Sequence, residues 1–184
     1  MARIFGLALG LALAVLLPPS AGLAEENAAS AVQAETGASS LQRFVIVPFG
    51  FRDTSGEVRD QRADHERRLD IAMDATHKFL SESGLVEPVV LQCGDEGCPA
   101  SVAELVERAR AEDGRYMLIG MFQKTSTLIG WVKFDVLDLE AEEVRCDRII
   151  SYRGDTDEAW FRAARQVVRD VVRHCLPGPE GAEQ

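Results

Sequence analysis

An apolar run, Tyr116-Met117-Leu118-Ile119-Gly120-Met121-Phe122, lies between two turn signals in the second half of the chain. A run this short, with no charged residue, is typical of a strand in the middle of a sheet that is covered on both faces. The following segment, Leu128 to Val136, alternates apolar with charged residues, which predicts a strand with one solvated face. Its predicted inward residues are Val132, Phe134 and Val136, and its predicted outward charged residues are Lys133 and Asp135.

The other segments place helices and strands on either side of these two strands. Apolar residues recur every three or four positions from about Ala63 to Ser83, which predicts an amphipathic helix. A second helix follows Pro99-Ala100-Ser101, and a third follows Asp155 and Glu158, which have capping-box spacing. Further strands are predicted at Arg43–Phe51, Val86–Leu91 and Val144–Tyr152. Pro48 marks an edge or a bulge in the first of them. The predicted inward residues of the last are Val144, Cys146, Ile150 and Tyr152. The element order is βαβαβββα, a single α/β domain with a mixed sheet.

The amino-terminal residues have the pattern of a secretory signal peptide. Arg3 precedes an apolar run, and Gly22 and Ala24 are the small residues expected just before a cleavage site. The run is shorter than the roughly 20 residues that a bilayer span needs, so we expect cleavage near Ala24 and no stable membrane insertion afterwards. The predicted organisation is a signal peptide at 1–24, a disordered linker at 25–42, the α/β domain at 43–176 and a disordered tail at 177–184.

Charge argues against a nucleic-acid partner. The chain has a formal net charge of −10, and its cations are interleaved with acids, as in Glu66-Arg67-Arg68-Leu69-Asp70. A polyanion would need a local basic patch on an acidic surface, and this interleaving predicts a mixed-charge, solvated surface instead.

Four cysteines remain after the leader, and an even number in an exported protein predicts two disulfides. Cys93 and Cys98 flank a short loop that contains two glycines, so they form one pair, and Cys146 with Cys175 follows by elimination. The second pair gains support because Cys146 falls on an inward strand face and Cys175 on the inward face of the last helix. A zinc site and free thiols are the competing interpretations, although the Cys93 to Cys98 spacing is longer than structural zinc sites use.

Four segments together resemble a known family. They are the strand ending Val47-Pro48-Phe49, the Cys93 and Cys98 pair ahead of a helix, the segment Gly120 to Ile129, and the segment Arg153 to Trp160. This combination is similar to the secreted bacterial domains of unknown function related to the amino-terminal domain of the Tol-Pal protein TolB. The resemblance implies a periplasmic α/β domain with a TolB amino-terminal-domain-like fold and supplies no catalytic residues. TolB relatives proper continue into a β-propeller, which this sequence lacks, so a Tol-Pal role is not implied.

The titratable residues show no catalytic or metal-binding pattern, so we predict no catalytic residue, metal or cofactor. His65 and His77 lie too far apart on one predicted helix to share a metal, and His174 points away from Cys175. His65 is predicted to be exposed. The acids Asp53, Asp60, Asp64 and Glu66, and likewise Asp155, Asp157 and Glu158, are interpreted as solvated or helix-capping residues.

Two neighbouring segments are the candidate contact surface for a partner or ligand. Lys124, Thr125 and Ser126 belong to a polar loop between two strands that is either a connector or a small-ligand site. Ile129 and Trp131 lie opposite the inward residues of their strand. If helices leave that face open they form an exposed apolar patch for a partner, and if helices cover it Trp131 belongs to the core.

These observations favour a periplasmic accessory or interaction domain that binds another, unidentified envelope protein and has no catalytic activity of its own. One alternative is a small-ligand-binding periplasmic protein with a cleft near Lys124. The other is an accessory factor of a periplasmic redox or metal-handling system, which requires at least one labile cysteine pair.

Overall fold

A computed structural model describes residues 41–94 and 97–177. The predicted signal peptide, nearly all of the predicted linker and all but the first residue of the predicted tail lie outside the described residues. In the described part of the chain, no helix is both long and apolar enough to cross a membrane.

The structure contains six strands and three helices in nearly the predicted order. Their bounds are β1 Gln42–Ile46, β2 Gly50–Asp53, α1 Arg62–Ser83, β3 Val86–Val90, α2 Val102–Ala111, β4 Tyr116–Lys124, β5 Ile129–Asp138, β6 Glu143–Arg153 and α3 Asp157–Asp170, which continues as a π-helical turn, Val171–Cys175. The main strand order is β3-β1-β4-β5-β6, and β2 pairs with β4 alongside β1. Strands β1 to β4 pair in parallel and β5 and β6 are antiparallel, so the prediction of an α/β domain with a mixed sheet is confirmed.

The predicted first strand is in fact two strands, divided at Pro48. Ile46 pairs with Leu118 of β4, and Gly50 pairs with Met121 of β4. Three residues separate Ile46 from Gly50, whereas only two separate Leu118 from Met121, so one residue is extra on the side of β1 and β2. A proline cannot donate to a strand ladder and is found at edges and bulges, which explains the interruption. The prediction of one continuous strand was wrong, whereas the interruption at Pro48 is the bulge that the sequence indicated.

Helices α1 and α3 cover one face of the sheet, which we call the inner face. Val132, Phe134 and Val136 of β5 are fully buried there, as their alternation predicted. Trp160 of α3 stacks in parallel on Phe122 of β4, with ring centroids 4.7 Å apart. This layer supplies the larger of the two apolar clusters.

Helix α2 covers only part of the other face, which we call the outer face. Its Leu105 and Ala109 pack with Val45 near the end of β1 and with Met117 near the beginning of β4. Beyond that contact no helix among residues 41–94 and 97–177 covers the outer face, and Met121 is exposed. The prediction that β4 is covered on both faces therefore holds for its first half and is wrong for its second half.

Strand β6 departs from its predicted register at one end. Val136 pairs with Cys146 and Leu137 with Val144, so Arg145 is bulged out and Val144 shares the outer face with Leu137. Val144 was predicted to face inward and is instead exposed, because a bulge reverses the alternation of side chains beyond it. The sequence could not place this bulge, since β6 alone contains no glycine or proline that marks it.

Candidate functional site

The most highly connected polar side chain of the domain is Asp155, which precedes α3. Its Oδ1 accepts hydrogen bonds from Nη1 of Arg68, at 2.9 Å, and from Nε1 of Trp160, at 3.1 Å. Its Oδ2 lies 3.1 Å from Nε2 of His65 and 2.9 Å from Nζ of Lys124. This carboxylate therefore joins α1, β4 and the start of α3 at one end of the sheet.

Lys124 is the second centre of this group of residues. Its side chain is on the inner face at the end of β4, in register with Phe122 two residues earlier, and the residue is 1% exposed. Besides Asp155, the ammonium donates to Oε2 of Glu57, at 3.0 Å, and to Oε1 of Gln61, at 2.9 Å. All three of its protons are thus directed at protein oxygens. We call Asp155, Lys124, His65, Arg68 and Glu57 the Asp155 cluster.

The charges of the cluster stabilise one another. Burial alone would raise the pKa of Asp155, but hydrogen bonds from Lys124 and His65 and the charge of Arg68 outweigh it and lower that pKa below its ordinary value. Burial alone would lower the pKa of Lys124, but its bonds to Asp155 and Glu57 raise it. The bond from Lys124 also lowers the pKa of Glu57. At neutral pH the carboxylates of Asp155 and Glu57 are therefore paired with the ammonium of Lys124.

His65 is buried, and the prediction that it is exposed was wrong. It is 4% exposed and packs against Phe51, with ring centroids 4.4 Å apart, and against Trp160. Its hydrogen-bond partner, Asp155, lies 90 positions later in the chain. Local periodicity carries no information about such a distant contact, and this explains the error.

The segment proposed as a ligand loop is a tight hairpin connection. Lys124 belongs to β4 rather than to the loop. Thr125 donates to the carbonyl of Ile129 through both its backbone N–H and its hydroxyl. The Ser126 hydroxyl accepts from the backbone N–H groups of Leu128 and Ile129. Thr125 and Ser126 thus hold the β4–β5 connection, whereas the side chain of Lys124 is engaged in the Asp155 cluster.

The uncovered part of the outer face is the candidate functional surface. Ile129 is 50% exposed and Ile149 is 62% exposed, Met121 is also exposed, and Trp131 is half-buried between them. Register places these side chains on neighbouring strands of one face, because Met121 pairs with Lys133, and Lys133 pairs with Ile149. We call Met121, Ile129, Trp131 and Ile149 the open face.

Two arginines lie beside Trp131 and Ile129, at one end of the open face. Arg52 of β2 pairs with Gln123, which pairs with Trp131, and Arg153 of β6 pairs with Ile129. Both arginines are exposed, and neither makes an ion pair with any other residue in 41–94 or 97–177. This end of the surface is therefore basic although the chain as a whole has a formal net charge of −10.

A separate groove lies between α2 and the carboxyl end of β5. It has a volume of about 750 Å³, and its apolar lining includes Val106, Leu137, Leu139 and the exposed Val144. Charged side chains of α2 and of the β5–β6 turn surround it. We call it the α2 groove.

Both predicted disulfides are present. Cys93 pairs with Cys98, with Cα atoms 4.6 Å apart, and Cys146 pairs with Cys175, with Cα atoms 5.4 Å apart. The second disulfide ties β6 to the end of the last helix, and Cys175 is fully buried. Within the residues that the structure describes, no group of three or more histidine, cysteine or acidic side chains is placed to hold a metal ion.

Residues 42–172 match a family model, DUF3280, described as "Protein of unknown function (DUF2380)". The chain belongs to this family. The resemblance to a domain family without established activity is thereby confirmed. No curated protein matches this DUF3280 member.

Solved bacterial structures are similar to this DUF3280 chain at low sequence identity. The PelC dodecamer from Paraburkholderia phytofirmans is 14% identical, with 75% of this chain and 90% of that chain covered and a TM-score of 0.45. TolB from Acinetobacter baumannii is 13% identical, with 76% of this chain and 30% of that chain covered and a TM-score of 0.46. Lipoprotein GNA1162 from Neisseria meningitidis is 12% identical, with 71% and 97% covered and a TM-score of 0.43. A TolB structure is among them, as the resemblance predicted.

Sequence reasoning missed most of the Asp155 cluster. Glu57 and Arg68 were not singled out, and Asp155 was interpreted only as a capping residue. One signal was available: Lys124 has the same parity along β4 as Leu118 and Phe122, so the alternation of the strand places it on the inner face. A lysine at such a position needs buried acidic partners, which the sequence alone does not identify.

Proposed function

We propose that this chain is an exported accessory domain of the bacterial cell envelope that binds another envelope protein through its open face. The observation that carries the proposal is the exposure of Met121, Ile129 and Ile149 around the half-buried Trp131 on the uncovered half of the sheet. Lys133 lies between Met121 and Ile149 on this face. Exposed apolar side chains grouped on one face mark interaction surfaces, and tryptophan is among the residues that contribute most to binding energy.

The surroundings of the open face indicate the chemistry of the partner. Arg52 and Arg153 border Trp131 and Ile129 and, among the described residues, make no ion pair. A partner segment that places apolar side chains on Trp131 and acidic side chains near the two arginines would match both features. The proposed partner surface is therefore apolar with acidic flanks.

The disulfides support an exported location. Disulfides form and persist in oxidising compartments such as the bacterial periplasm. The pairs Cys93–Cys98 and Cys146–Cys175 agree with the signal-peptide pattern that ends near Ala24. Together they support assignment of the domain to the periplasm.

The proposal assigns binding to the domain and no catalytic step. Its strongest candidates for acid-base chemistry, Asp155, His65 and Lys124, are buried and bonded to one another. A general acid or base needs to reach a substrate proton, and these groups direct their polar atoms at protein partners. Their arrangement supports a structural role.

Cross-linking in cells tests the proposal. The tagged chain, exported to the periplasm, is cross-linked and purified as wild type and as the double variant Trp131→Ala, Ile129→Ala. The matched control is Val58→Ala, Val102→Ala, which removes two exposed apolar side chains elsewhere. Circular dichroism and the urea midpoint show that each variant is folded.

We expect wild type and control to recover one specific envelope protein and the open-face variant to lose it at least about tenfold, as for removal of a central apolar anchor. Equal recovery with the folded open-face variant contradicts the proposed surface. Recovery of nothing above background with wild type contradicts the proposed partner class.

A second candidate function is binding of a small apolar ligand in the α2 groove. Its volume of about 750 Å³ is within the range of ligand sites, and Val106, Leu137 and Val144 provide apolar surface. This location replaces the cleft expected near Lys124, which is filled by the Asp155 cluster. A thermal-shift screen of small ligands tests it, and ligands that still stabilise the folded variant Val144→Glu contradict the site.

A further inference from the structure

Strand β6 forms a long free edge of the sheet. It has 11 residues, and among the described residues its only strand partner is β5. Along the opposite side of β6, backbone N–H and C=O groups point away from the sheet. Such an edge is a template for one more strand.

The opposite edge of the sheet, strand β3, is protected against the addition of another strand. Strand β3 has only five residues and carries Pro88 at its centre. Proline and short length both protect an edge against pairing. Strand β6 has no proline, and its bulge at Arg145 leaves Cys146 to Arg153 in regular register with β5.

A groove accompanies the free edge on the inner side of the sheet. It has a volume of about 290 Å³ and lies between β6 and α3. Its apolar lining is Ile150, Tyr152, Ala159 and Ala163, and its charged residues are Arg153 and Arg162. A strand added to β6 would place alternate side chains in this groove.

The edge carries cations although the chain is acidic. Arg148, on the inner side of β6, and Arg153, on the outer side, make no ion pair within residues 41–94 and 97–177. Arg162 of α3 is paired with Glu158 one turn earlier. These charges disfavour the register in which a second β6 edge would place the Arg148 side chains of the two copies directly opposite each other. They favour a strand with acidic side chains.

We propose that the free edge of β6 and the groove beside α3 bind an extended, acidic peptide segment of a partner protein as an additional strand. The main chain of β6 supplies the affinity that is independent of sequence, and Arg148 and Arg153 select acidic residues. This site shares Arg153 with the basic end of the open face but does not use Trp131, so it can exist whether or not Trp131 contacts a partner.

A defined peptide tests the proposal. The probe is fluorescein-labelled EETVTVTEE, which combines an extended core with acidic ends, and binding to the full chain is followed by fluorescence anisotropy. We expect saturable binding and slower amide hydrogen exchange in β6 when the peptide is bound. The same peptide with alternate backbone nitrogens methylated, which removes main-chain donors but keeps all charges, should bind at least about tenfold more weakly.

Matched protein variants locate the site. The charge-reversal variant Arg148→Glu, Arg153→Glu should bind the peptide at least about tenfold more weakly. Arg108→Glu on α2, which is exposed as Arg153 is, should change binding less than about twofold. Trp131→Ala should leave binding unchanged, which separates this site from the open face. Circular dichroism confirms that each variant is folded.

Several results would overturn the proposal. One is the absence of saturable binding of the acidic peptide, and another is a methylated peptide that binds as tightly as the unmethylated one. The others are an Arg108→Glu variant that weakens binding as much as Arg148→Glu, Arg153→Glu does, and amide hydrogen exchange in β6 that the peptide leaves unchanged. Formation of a dimer that is lost in the Arg148→Glu, Arg153→Glu variant would mean that the edge pairs with a second copy instead.

Discussion

Replacement of Asp155 by alanine should destabilise the domain strongly. Its carboxylate accepts bonds from Arg68 and Trp160 on one oxygen and contacts His65 and Lys124 on the other, while its side chain is only 10% exposed. Removal of one partner from a buried ion pair costs about 3–5 kcal/mol, because the opposite charge stays buried without compensation.

The structure places the expected cost near the lower end of that range. Without Asp155, Lys124 keeps Glu57 and Gln61, and Arg68 keeps a contact with Asp157. We therefore expect Asp155→Ala to lose about 3 kcal/mol, a large part of the 5–15 kcal/mol that typically stabilises a domain. The control Asp157→Ala removes a half-exposed carboxylate at the start of α3 and should cost about 1 kcal/mol or less.

Urea unfolding followed by circular dichroism measures these differences. Asp155→Ala should lower the urea midpoint with an unchanged slope, since the surface exposed on unfolding stays the same. Adding Lys124→Met should recover about 1 kcal/mol or more, because it removes the ammonium left without its partner. A cost below about 1 kcal/mol for Asp155→Ala, or strictly additive effects of the two substitutions, would refute the coupled buried cluster.

Three further predictions follow from the same structure. Gly130→Ala would place a Cβ 2.4 Å from the Tyr152 ring and should cost about 1–3 kcal/mol in urea unfolding; an unchanged midpoint would contradict this packing. The pKa of Asp155 is lower in the folded state, so its contribution to the free energy of unfolding is present above the unfolded pKa of about 4 and is lost as pH falls through the folded pKa. Wild type should therefore lose more stability than Asp155→Asn between about pH 4.5 and 2.5. Parallel curves of stability against pH for the two proteins would argue against this contribution. Thiol titration of the native chain should find no reactive cysteine, and reduction of Cys146–Cys175 should cost about 2–5 kcal/mol; a thiol that reacts without reductant would instead favour a redox role.

Local patterns predicted the layers of the fold because those patterns are set by burial of neighbouring side chains. The alternation of Val132, Phe134 and Val136 was correct since one face of β5 is buried along its whole length. Cys146 and Cys175 were paired correctly because each falls on the inner side of its own element. Element order and sheet type follow from such short-range information.

The errors arise where a distant residue decides the outcome. His65 is buried because Asp155, 90 positions later, lies against it, and no local pattern contains that contact. Val144 faces outward because of a bulge that depends on the pairing of β6 with β5. The alternatives for Trp131 depended on how far α2 extends over the outer face, and this is a tertiary property.

Site-specific photo-crosslinking tests the proposed interaction most directly. A photoreactive amino acid replaces Ile129 on the open face in one version of the exported chain and Lys78 on the exposed side of α1 in another. The proposed interaction predicts a discrete cross-linked envelope protein from position 129 that is absent from position 78 and is lost when Trp131→Ala is added. A cross-link from position 78 alone, or one from position 129 that persists with Trp131→Ala, would contradict it.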